Sequence, residues 1–122
     1  MRTLILVAHG SRREASNQEI RALTEALARQ GGERFDRVSC AFLELVEPSI
    51  PDAIEQALAG GAAEAVVLPY FLSAGRHVAE DIPALVEEKR REHPAAEIKI
   101  APYLGAVPGV IDLLLAIADR VE

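Results

Sequence analysis

The sequence predicts an α/β domain: a four-stranded parallel sheet with helices on both faces and strand order 2-1-3-4. Three observations predict it. Four short apolar runs alternate with four longer stretches of helical periodicity. The connections between them are short, as in parallel sheets built from right-handed crossovers. The first and third runs are apolar throughout, the pattern of central strands covered on both faces.

The first run is Leu4-Ile5-Leu6-Val7-Ala8. A helix follows from Ala15 to about Gln30, with Ile20, Leu23 and Leu27 at helical spacing and Gly31-Gly32 as its stop. The second run spans about Arg37 to Leu43. Ser49-Ile50-Pro51-Asp52 then opens a second helix, with a capping hydroxyl, an acid three positions on and proline in the first turn. Ile54, Ala57 and Leu58 form its inner face, and Gly60-Gly61 ends it. The third run is Ala65-Val66-Val67-Leu68. A third helix starts near Asp81, because Pro83 is tolerated only in a first turn. Leu85 and Val86 point inward, Glu87 to Glu92 is solvated, and Pro94 closes the helix. Glu97 to Ala101 alternates polar and apolar residues, which suits an edge strand. The fourth helix runs from about Val107 to Val121 and is apolar almost all round, with polar residues only at Asp112, Asp119 and Arg120. Such a helix is buried on more than one side, which hints at self-association.

Composition narrows the function. The 122 residues form one domain, large enough to fold without a disulfide or structural metal. Half are hydrophobic and 26% charged, which excludes a disordered chain. The net charge of −6 argues against general nucleic-acid binding, and 4% aromatics leaves no stacking platform for single strands. Cys40, the one cysteine, permits no internal disulfide and no CxxC metal site, and reads as a small buried strand residue. The apolar run after Met1-Arg2-Thr3 is too short to span a membrane and lacks a signal-peptide cleavage region. The expectation is a soluble, cytoplasmic, single-domain protein over residues 1–122, with no nucleic-acid or membrane partner.

In sheets of this order, as in flavodoxin-like folds, ligands bind beyond the carboxyl ends of the strands where the order reverses, here between strands 1 and 3. Strand 1 runs into His9-Gly10-Ser11-Arg12-Arg13. Strand 3 runs into Pro69-Tyr70-Phe71-Leu72-Ser73-Ala74-Gly75-Arg76-His77. Neighbouring strands lie about 4.8 Å apart, so these loops can bring His9 and His77 to one point. Neutral imidazoles bind late first-row metals and accept protons near neutral pH. Each histidine also has a plain reading, His9 as a strand-end cap and His77 as a polar residue before a helix. His93 reads as a surface residue favoured at a helix C-terminus.

Glu44, after strand 2, is either an exposed acid or a third ligand or proton acceptor, and Glu47 shapes the turn before Pro48. Arg12, Arg13 and Arg76 are either solubilising charges or a basic rim for an anionic ligand. Tyr70 and Phe71 read as core first and as pocket wall second. Gly10 could line a phosphate nest, but there is no GxGxxG after strand 1 and no Walker sequence. Ala8 precedes His9 where histidine phosphatases carry Arg in an RHG sequence.

His9-Gly10-Ser11-Arg12, Phe42-Leu43-Glu44-Leu45 with Pro48-Ser49-Ile50, Pro69-Tyr70-Phe71-Leu72, and Gly75-Arg76-His77-Val78 with Asp81-Ile82-Pro83 resemble the small sirohydrochlorin chelatases. These are class II, ATP-independent enzymes of the cobalamin and sirohaem pathways, of the sirohydrochlorin cobaltochelatase type. The resemblance covers essentially the whole chain. It implies that His9 and His77 are the chelating pair and that Glu44 matches a recurrent acid. It implies a half-length form that pairs as a homodimer to imitate the two-domain enzymes. The reaction would insert a divalent metal, Co2+ first and Fe2+ or Ni2+ as alternatives, into a sirohydrochlorin-type tetrapyrrole. The metal is substrate, and no cofactor is bound permanently. Arg12, Arg13, Arg76, Ser11 and Ser73 would receive the substrate's carboxylates, and Leu45, Tyr70, Phe71 and Leu72 would pack against the macrocycle. A non-catalytic metal or tetrapyrrole carrier and a phosphatase using His9 as nucleophile are the competing readings.

Overall fold

The computed structural model describes residues 1–121. Its strands are β1 (Arg2–Ala8), β2 (Arg37–Phe42), β3 (Glu64–Pro69) and β4 (Glu97–Ile100). They form one parallel sheet in the order β2-β1-β3-β4, the order the alternation predicts. The helices are α1 (Glu14–Gly31), α2 (Ile50–Ala59), α3 (Ile82–Glu92) and α4 (Gly109–Ala118). A π-helical turn, His77–Asp81, precedes α3, and a 3-10 turn, Leu104–Ala106, precedes α4.

Alternation within each strand assigns its side chains to two faces. Ile5, Val7, Ala65, Val67 and Ile98 face one way and pack with Ile50, Ile54 and Ala57 of α2 and Ile82 and Val86 of α3. This is the main core. The cap expected at Ser49 is present: its hydroxyl accepts from the Asp52 backbone N–H at 3.2 Å. Leu4 and Leu6 face the other way and are buried. Helix α1 lies on that side, beside β2. Its buried residues are Asn17 and Thr24, whereas Ile20, Leu23 and Leu27 are only half-buried.

The fourth helix departs from expectation. It is shorter than 107–121, and none of its residues is buried. Ile111, Leu113, Leu114, Leu115 and Ile117 are each between 57% and 62% exposed. Val66 and Leu68 of β3, on the Leu4 face, stay half-exposed as a result. A single copy of the chain thus leaves an apolar helix and part of a sheet face uncovered.

Two smaller corrections concern side chains. Cys40 is half-buried rather than buried, on the edge strand β2. The stretch 87–92 is not all solvated. Lys89 is buried, and its ammonium meets Glu55 at 2.9 Å and Glu92 at 3.3 Å. No described helix is long and apolar enough to cross a membrane.

Candidate metal and tetrapyrrole site

The chain leaves β1 toward β2 on one side and later returns to β3 on the other. A crevice therefore opens beyond the strand ends between β1 and β3. Backbone bonds tie its walls together. Leu43 N–H donates to the Ala8 carbonyl at 3.0 Å, Glu44 N–H to the His9 carbonyl at 3.2 Å, and Tyr70 N–H to the Val7 carbonyl at 2.8 Å.

Gly10 makes this approach possible. Its φ is +93°, and a Cβ there would collide with the Glu44 carbonyl oxygen. Asn17, 3% exposed, holds the turn from below. Its Oδ1 accepts from Ser11 N–H at 3.0 Å, and its Nδ2 donates to the Ser11 carbonyl at 2.8 Å. Asn17 escaped the sequence reading. Its signal, a polar residue on the inner face of an amphipathic helix one turn after the loop, is easily taken for solvent exposure. The loop after β3 is braced in the same way. Gly105 N–H donates to the Phe71 carbonyl at 3.0 Å, and the Leu72 carbonyl lies where a Gly105 Cβ would be.

The two histidines meet. Their ring centroids are 5.1 Å apart and the planes cross at 63°. Both side chains are about half exposed, 49% for His9 and 44% for His77. The His9 Nδ1 is 3.2 Å from the Gly10 carbonyl oxygen, and its Nε2 is 3.7 Å from Glu44 Oε1. His77 Nδ1 is 2.7 Å from Asp81 Oδ2. The two imidazoles thus share one solvent-open rim, with Glu44 beside His9 and Asp81 beside His77, and groups of these types bind late first-row divalent ions and accept protons. The donor atoms of His9, His77 and Glu44 do not all lie within 4.8 Å of one another. A complete protein shell is not formed there. An ion bound by so few protein donors would keep positions open for other ligands.

The remaining candidates divide. A depression of about 430 Å³ on the α1 side is lined by His9, Gly10, Ser11, Asn17, Tyr70 and Leu72, among others. A second, of about 400 Å³, lies on the α3 side and is lined by Glu44, His77, Asp81 and Leu85, among others. The histidine pair stands between them. Tyr70, Leu72 and Leu45 are exposed at this rim, so Tyr70 is wall rather than core, while Phe71 packs against the core. Leu45 has φ +69°, a left-handed conformation that Leu rarely adopts. Arg12 lines a further depression with Ser11, Leu45 and Glu47. Arg13 and Ser73 are exposed. The Ser11 hydroxyl is partly engaged, accepting from Arg13 N–H at 3.0 Å. Arg76 is exposed and 3.8 Å from Glu80.

His93 is not a plain surface residue. Its Nε2 lies 2.5 Å from Glu55 Oε1, next to Lys89 and Glu92. Glu55, Glu92 and His93 offer donor atoms within 4.8 Å of one another. The Lys89 ammonium already sits among them in the place of a cation, so this group reads as a structural ion-pair network. The His93 hydrogen bond, then that from Lys89, holds the Glu55 carboxyl below its ordinary value.

The CbiX family model matches residues 3–121. The chain belongs to the CbiX family. Relatives of this CbiX chain include a chloroplastic sirohydrochlorin ferrochelatase of Arabidopsis thaliana, 34% identical over 98% of the chain and 51% of the relative. A sirohydrochlorin cobaltochelatase of Methanopyrus kandleri is 36% identical over 70% of the chain and 59% of the relative. The chain spans little more than half the length of these two. One from Sulfolobus acidocaldarius is 32% identical over 96% of the chain and 89% of the relative. Among solved structures, the sirohydrochlorin chelatase SirB of Bacillus subtilis subspecies spizizenii, in complex with cobalt, superposes with a TM-score of 0.84. It is 26% identical, and the match covers 98% of this CbiX chain and 50% of SirB. A putative cobalamin biosynthesis CbiX protein of Marinobacter aquaeolei matches at 0.74 and 30% identity, over 99% and 100% of the two chains.

Proposed function

We propose that this CbiX protein is an ATP-independent chelatase that inserts a divalent metal, Co2+ first, into sirohydrochlorin. The observation that carries the proposal is the His9–His77 pair, ring to ring at the sheet's switch point with Glu44 beside it. Relatives named as cobaltochelatases and a ferrochelatase support the reaction and leave Co2+ and Fe2+ both in play.

Insertion strips water from the ion and removes two protons from pyrrole nitrogens. His9 and His77 would hold the ion by neutral ring nitrogens. As the ion passes to the macrocycle, one pyrrole proton goes to the Glu44 carboxylate beside His9 and the other to an imidazole that the ion vacates, and both leave to solvent from these half-exposed side chains. An open set of protein ligands suits this task, because the tetrapyrrole must take the ion over. Arg12, Arg13 and Arg76 receive the substrate's carboxylates, with Ser11 and Ser73 as polar contacts. Leu45, Tyr70, Phe71 and Leu72 pack against the ring. The metal is substrate, and no resident cofactor takes part.

The working unit is a homodimer. Two copies supply what the double-length SirB carries in one chain. A second copy also covers the exposed α4 and the half-open Val66 and Leu68 face. The lone Cys40 and the lack of a disulfide fit the reducing cytoplasm.

The test is a visible-spectrum assay with sirohydrochlorin and Co2+, Fe2+ or Ni2+ in parallel. Multiple turnovers are expected. A stoichiometric complex without turnover would make the protein a carrier. Phosphatase activity surviving removal of all metals would make His9 a nucleophile instead.

A further inference from the structure

Asp81 lies four residues after His77, at the other end of the same π-helical turn. Such turns are rare and concentrate at functional sites. Asp81 does not cap α3: its backbone is helical and its side chain makes no capping bond. Among the described residues its carboxylate has one partner, His77 Nδ1, at 2.7 Å.

We propose that Asp81 is a positioning residue that fixes His77 in the tautomer with the proton on Nδ1, leaving Nε2 as the metal-binding atom. A carboxylate only accepts, so the short contact requires N–H at Nδ1. The lone pair of the neutral ring then resides on Nε2, which has no hydrogen-bond partner among the described residues. A carboxylate behind a ligating imidazole locks its rotation and raises the basicity of the other nitrogen. His9 is held differently, by the neutral carbonyl of Gly10 at the longer distance of 3.2 Å. The two histidines are therefore inequivalent, and His77 is the better prepared ligand. The ligand's identity rests on the chelatase reading. The tautomer does not.

The test compares Asp81→Ala and Asp81→Asn with wild type in the full chain. Long-range proton–nitrogen NMR of neutral His77 reads the tautomer, and titration with Co2+ alone reads affinity. Wild type is expected to show the Nδ1–H form. Asp81→Ala shifts to the Nε2–H form that a free side chain prefers in water, and loses about 10- to 100-fold in Co2+ affinity. Asp81→Asn keeps a carbonyl acceptor, so it retains the tautomer and most of the affinity. Asp81 is half-exposed, so both variants keep the wild-type melting temperature. The proposal is overturned if Asp81→Ala keeps the Nδ1–H form, or if it changes tautomer at unchanged Co2+ affinity. It is equally overturned if Asn behaves as Ala does. Wild type that shows the Nδ1–H form yet binds no Co2+ ends the metal half of the proposal and the chelatase reading together, while the Asp81 contact stands.

Discussion

His9 and His77 stand ring to ring, 5.1 Å between centroids, although one follows β1 and the other ends the long loop after β3. Their meeting depends on β1 and β3 being hydrogen-bonded neighbours, with Leu6 beside Leu68 and Val7 beside Pro69.

Replacing either histidine should abolish metal insertion and spare the fold. His9→Ala and His77→Ala should each lower the insertion rate by at least about 100-fold. Both side chains are about half exposed, so unfolding free energy should change by less than about 0.5 kcal/mol. Near-wild-type insertion of Co2+ and Fe2+ by either variant would contradict the paired-histidine mechanism.

Gly10 is a sharper probe of the crevice wall. Gly10→Ala places a methyl group against the Glu44 carbonyl and forces Ala into φ +93°. Denaturant unfolding should show a loss of about 1–3 kcal/mol. Gly75→Ala is the control, since its Cβ would meet nothing within 4 Å. Equal stability of the two variants would mean that the Gly10–Glu44 contact is not tight in solution.

The exposed α4 predicts an oligomer. Sedimentation should give about twice the chain mass of 13.1 kDa. Leu114→Asp, in the middle of the uncovered apolar surface, should shift the protein to monomer and lower insertion. A wild-type monomer with full activity would remove the dimer from the mechanism.

The Glu55 network predicts a pH dependence of known sign. Hydrogen bonds from His93 and Lys89 lower the folded carboxyl below its ordinary value of 4.5. The unfolded state therefore binds the proton more tightly, and ionised Glu55 favours the fold at pH above 4.5. That contribution fades as pH falls from 4.5 through the lower folded value. The stability gap between wild type and Glu55→Gln should close as pH falls below 4.5. A gap that widens below that pH would reverse the assignment.

The meeting of the two candidate histidines was legible because strand ends converge by rule. Once the runs at Leu4 and Ala65 are read as central strands, His9 and His77 fall on one rim without knowledge of any side-chain position. The contacts of Asp81 and Asn17 were not legible. Asp81 meets His77 across a π-helical turn and Asn17 braces the Ser11 turn from the buried face of α1, and their spacings are shared by many helical residues that make no such contact. His93 was misread because its partner Glu55 lies on another helix.

By itself the sequence determined the parallel sheet, its order and the rim on which the histidines sit. Hydrophobic periodicity and crossover handedness are local or topological constraints, and they act before any side chain is packed. Tertiary structure alone decided which atoms face each other: Nδ1 of His77 toward Asp81, Nε2 of His9 toward Glu44, Lys89 between two glutamates. It also decided that α4, apolar almost all round, buries none of its residues within its own chain. Such contacts join residues far apart along the chain or turn on one side-chain rotation, and only folded coordinates record them.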